Sequence, residues 1–183
     1  MQIAKQKLNE NIAEYILYMY QVEDVIRAYQ FDVDAIIERY VQPQMPDSSF
    51  INQYRSWYKD LVNQMKMQKI EKAGHLISTQ EILLELSYLH NTLLNMTKDE
   101  KYVGVFEIAN KYLEEFKEKS NLKDKNSIEL AFHAMYMKLL LKLQGKEISA
   151  ETEEAFDAMR MMLAYLSKSY HRMKSGDLDF LNN

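Results

Sequence analysis

Five side chains in this sequence have the chemistry of a site: Glu23, Arg27, His75, His90 and His133. Indexed at about 100° per residue, the first helical segment places Leu8, Ile12, Ile16, Met19 and Ile26 on one arc, with Glu23 between Ile12 and Ile16. A carboxylate inside an apolar stripe must find a partner, because burying it alone costs several kcal/mol or forces it to protonate. Arg27 follows one turn later and can pair with it at i,i+4. His90 falls between Leu83 and Leu86 on an inward arc, His133 falls between Met137 and Leu140, and His75 follows Gly74 in a tight connection. His171 belongs to a polar face and is expected to be exposed. If the first five converge, a Glu beside a His can act as an acid–base pair. Two His and a Glu can also hold a metal, but no ligand spacing supports one and none is assigned. The other reading is five separate core polars, hydrogen-bonded to Tyr hydroxyls or helix-end carbonyls.

The elements that must position these residues read as helices, with no convincing strand. The first spans 5–29, and a short one spans 34–42, ended by Pro43 and Pro46. Asp47, Ser48 and Ser49 offer caps for a long helix with Phe50, Tyr54, Trp57, Leu61 and Met65 on one side, closed by Gly74. Ser78-Thr79-Gln80-Glu81 reads as a capping box before Ile82, Leu86, Leu89 and Leu93. Asp99 starts the next helix, with Tyr102, Phe106, Ala109, Leu113 and Phe116 on its face. Asn126-Ser127-Ile128-Glu129 opens the sixth, stopped by Gly145. Ser149 caps the last, which runs to Gly176. Few polar residues interrupt the sixth helix, the signature of an element packed on several sides. The expectation is a single-domain all-α bundle over 1–183, of six or seven helices, with helices one and six central and a frayed tail from about 175.

Composition narrows the function classes. Four Gly leave no phosphate-cradling loop, and the absence of Cys removes disulfides, thiolate nucleophiles and Cys-based zinc sites. No cofactor is implied. The net charge of −4, with Lys and Arg scattered among acids, argues against a nucleic-acid partner. No apolar run approaches the ~20 residues of a membrane helix. The opening residues carry no apolar leader, so a soluble, cytoplasmic protein is expected.

Thirteen Tyr and twelve Met are the remaining unusual feature. Most of these Met sit at core spacing. Beside core and helix-edge packing, a Tyr-lined ligand cleft or a Met/Tyr-rich subunit interface accounts for them. On helix one, Leu17, Tyr18, Val25 and Tyr29 form a second apolar surface opposite Glu23. Neighbouring helices cover it, or it is an interface between copies.

The segment Asn11-Ile12-Ala13-Glu14-Tyr15-Ile16-Leu17-Tyr18-Met19-Tyr20-Gln21-Val22-Glu23-Asp24-Val25-Ile26-Arg27-Ala28 resembles a small all-helical bacterial family, a domain of unknown function. Lys72-Ala73-Gly74-His75-Leu76 and Lys146-Glu147-Ile148-Ser149-Ala150-Glu151-Thr152-Glu153 add to the likeness. The resemblance implies one helical domain in a bacterial cytoplasm and brings no activity or site residue. The expected function is a non-enzymatic helical interaction protein that self-associates as a homodimer. The alternative is a small-molecule binder or hydrolase using the Glu/His/Arg pocket.

Overall fold

In the computed structural model, which describes residues 2–45 and 48–177, eight α-helices carry the chain and no strand occurs among the described residues. They are α1 (Gln2–Glu10), α2 (Ile12–Ala28), α3 (Val33–Ile36), α4 (Ile51–Met67), α5 (Ile77–Asn91), α6 (Glu100–Lys119), α7 (Ser127–Leu143) and α8 (Ala150–Lys174). Short π turns extend α3 over Ile37–Val41 and α5 over Thr92–Met96. Pro46 and Asp47, and the tail beyond 177, lie outside the described residues.

The expected first helix is two helices. Asn11 leaves the helical region (φ −153°), and its side-chain oxygen accepts the backbone N–H groups of Ala13 and Glu14. Asn in this capping role satisfies donors that a helix start leaves bare. Leu8, placed on the inward arc by periodicity, is 39% exposed as a result of the break. Two other starts differ from expectation. The helix after residue 48 begins at Ile51 behind a 3-10 turn, with no side-chain cap. The Ser78–Glu81 box does not form: α5 starts at Ile77, whose N–H donates to Gln68 Oε1 from the preceding connection. Asp99, Asn126 with Glu129, and Ser149 do cap α6, α7 and α8.

Two apolar cores share α2. Ile12, Ile16 and Tyr20 enter the larger one, built with α5, α6, α7 and α8. Met19, Val22 and Ile26 enter the smaller one, with α1, α3, α4 and Leu76. Both α7, the expected sixth helix, and α8 pack against α2. α8 buries Phe156, Met159, Met162, Leu163 and Leu166 along its length. α7 buries its first half only, and Met137 and Leu143 near its end are exposed.

Candidate functional site

Glu23 is fully buried where α2 passes from one core to the other, and it meets the connection between α4 and α5. Its Oε1 accepts the backbone N–H of Leu76 at 3.0 Å, and its Oε2 lies 2.7 Å from Nδ1 of His75. A carboxylate offers acceptors only, so Nδ1 carries the hydrogen of this bond. Nε2 of His75 makes no hydrogen bond among the described residues. The ring lies against Tyr20, stacked with centroids 3.6 Å apart, so position and tautomer are both fixed.

Arg27 does not pair with Glu23. Its guanidinium donates to Asp24 at 2.9 Å and to the carbonyls of Ile70 and Gly74. The i,i+4 geometry permitted Glu23 as the partner, but Asp24 and two carbonyls of the connection after α4 took the fork instead. Gly74 (φ +98°) occupies the left-handed region, and an added Cβ would come within 3.3 Å of Ile70 Cγ2. That conformation brings the Gly74 carbonyl to Arg27 and the next residue, His75, to Glu23. Tyr136 of α7 donates to Asp24 at 2.7 Å and extends the network to a third element.

These groups back onto a cleft of 530 Å³ bounded by α2, the 69–76 connection, α5 and the start of α7. Its polar wall includes His75, His133, Gln80, Ser87, Lys125, Asn126 and Glu129, and its apolar wall includes Ile77, Leu83 and Leu84. The volume and mixed lining are those of a small-molecule site. His133 stands 6.2 Å from His75, centroid to centroid. Burial lowers its pKa, the neighbouring His75 and Lys125 add to the effect, and Glu129 opposes it. Lys125 is held by Glu129 at 2.9 Å.

A match across nearly the whole chain then places it. The chain belongs to the family described as Domain of unknown function (DUF4924). The family model matches residues 1–177, so the cleft, the Glu23–His75 pair and both cores lie within the DUF4924 region. No curated protein and no solved structure matches the chain.

Of the five residues singled out in this DUF4924 chain, Glu23, Arg27, His75 and His133 gather at one place, and His90 does not. His90 sits two turns beyond Leu83 on α5, roughly 10 Å along the helix axis. There its Nδ1 meets the Tyr102 hydroxyl at 2.7 Å and its ring packs edge-on to Phe106. Burial holds it neutral, with a pKa lowered to about 4. His171, expected exposed, is half-buried and accepts the Ile12 N–H through Nε2 at 3.1 Å, helping to start α2. Leu17, Tyr18, Val25 and Tyr29 are each half covered by the protein's own packing, Leu17 on the larger core and the others on the smaller. Sequence reading passed over Tyr20, Lys125 and Glu129. Lys125, Glu129 and His133 recur every four residues, a stripe that leads from the residue before the cap onto one face of α7.

Among the described residues no group of three His, Cys, Asp or Glu side chains is placed to hold a metal ion. None of the described helices is long and apolar enough to cross a membrane.

Proposed function

We propose that this protein binds a small molecule in the 530 Å³ cleft and exchanges a proton with it through His75. The observation that carries this reading is the 2.7 Å contact between buried Glu23 and Nδ1 of His75. It fixes an imidazole that lines the cleft and leaves Nε2 for a ligand, the arrangement of an oriented general base. Hydrolysis is the reaction class such a group serves. Nε2 takes a proton from water as the oxygen attacks the ligand, and returns it to the leaving group. His133, kept neutral by its surroundings, supplies a second hydrogen-bonding imidazole. The test is a small-molecule screen followed through the histidine ring resonances. Hits should move His75 and His133 and leave His90 unchanged, and His75→Ala should weaken them by about tenfold or more, the value of one lost charge-assisted bond. Hits that leave both His75 and His133 unmoved would sink the reading.

A second reading, association with another copy, draws on α5. Leu84 and Tyr88, one turn apart, are 72% and 68% exposed. Light scattering decides it: a monomeric mass at high concentration, unchanged by Leu84→Glu, removes self-association.

A further inference from the structure

A second cleft, of 400 Å³, lies where α1, α2 and α4 meet the segment that follows α3. Four tyrosines line it: Tyr18 from α2, Tyr40 from the π turn, and Tyr54 and Tyr58 one turn apart on α4. Phe50, Met45, Val41 and Ile3 complete the apolar wall, and the two polar lining residues besides the phenols are Gln2 and Gln44. Among the described residues no lining side chain carries a formal charge.

That composition selects its ligand by exclusion and by attraction. An anion finds no cation to pair with among the described lining residues. A primary ammonium, strongly hydrated, finds among them no carboxylate to replace its water. A cation whose charge is spread over methyl groups sheds water cheaply and is attracted to aromatic faces, the basis of aromatic-cage recognition. We propose that this tyrosine-lined cleft is a binding site for quaternary ammonium groups, independent of the histidine cleft. Burial raises the pKa of Tyr18 and of Tyr58, and neighbouring phenols raise both further, Tyr40 and Tyr54 in each case. Both phenols therefore stay neutral.

The chain carries its own reporter. Its single tryptophan, Trp57, stacks on Tyr18 with centroids 6.5 Å apart and meets Tyr58 edge-on at 5.1 Å. The experiment titrates the full chain with choline at constant ionic strength and, in parallel, with 3,3-dimethyl-1-butanol, its uncharged isostere, following Trp57 emission. The expected result is a saturable change with choline and binding of the isostere about tenfold weaker or worse, the size of desolvated cation–π contacts. Tyr54→Phe, which keeps the ring, should bind choline within about twofold, and Tyr54→Leu should lose about fivefold or more. His133→Gln, in the other cleft, should bind as the parent does, which separates this site from the proposed function. Equal binding of the isostere would show an apolar slot only. That result, or no saturable change with choline, overturns the proposal, and the ring-preserving Phe variant keeps the test informative should the Leu variant fold poorly.

Discussion

His90 shows what a titratable group does when a helical core encloses it. It is 8% exposed, and Tyr102 is its one hydrogen-bond partner among the described residues. With a folded pKa of about 4 against an ordinary 6.5, the native state refuses a proton that the unfolded chain accepts. Stability is therefore unaffected above pH 6.5 and falls as pH drops from there towards 4. The loss attached to this residue is about 3 kcal/mol over that window. Burial pushes the His133 pKa down too, and its contribution has the same sign. Urea unfolding of the parent and of His90→Gln, at pH 7 and at pH 4, checks the point: the gap between them should shrink or reverse on acidification. A gap that stays constant would mean that His90 is protonated in the native state. Glu23, just as enclosed, has both oxygens met, by Leu76 N–H and by His75 Nδ1.

At the scale of elements, Asn11 has the largest local consequence. Its carbonyl still accepts Tyr15 N–H and its own N–H donates to Lys7, so the helical ladder is interrupted without being severed. Its side-chain oxygen takes three donors, Ala13 N–H, Glu14 N–H and the hydroxyl of buried Ser167 on α8. Asn11→Ala should cost roughly 1–2 kcal/mol, the value of a cap together with a stranded hydroxyl, while Asn11→Asp should retain most of it. Chemical denaturation measures both, and an Asn11→Ala protein as stable as the parent would remove the capping role. This element also shows what the sequence concealed. Leu8, Ile12 and Ile16 keep helical spacing straight through the break, so periodicity alone reports one helix. Ser78–Glu81 failed in the opposite sense: a good local signal lost to Gln68, a tertiary partner nine residues from Ile77. Starts whose partners are local, such as Asn126 with Glu129, were legible because nothing distant competes for them. The same division holds at the site. Glu23's need for a partner was readable from its place in the stripe. The partners themselves, His75 and Leu76, stand 52 and 53 residues away, beyond the reach of helical spacing.

For the whole molecule, the question is whether two cores make one cooperative unit. Helix α2 feeds them from successive turns: Ile12, Ile16 and Tyr20 to the larger, Met19, Val22 and Ile26 to the smaller. Neither core can lose α2 and keep its packing. Glu23 and Arg27, at the C-terminal end of the same helix, also bind the connection that leads from the smaller core into α5. Opening the smaller core thus releases the wall of the histidine cleft and loosens the start of α5. We expect one unfolding transition for the chain, with equal calorimetric and van't Hoff enthalpies. Tyr58→Ala, in the smaller core, and Met162→Ala, in the larger, should each cost roughly 2–5 kcal/mol. Both should lower that single midpoint by about 2–4 °C for every kcal/mol lost. Differential scanning calorimetry of the parent and the two variants gives the answer. A split endotherm, with Tyr58→Ala moving one peak and Met162→Ala the other, would mean that each core holds without the other and that α2 joins them without coupling them.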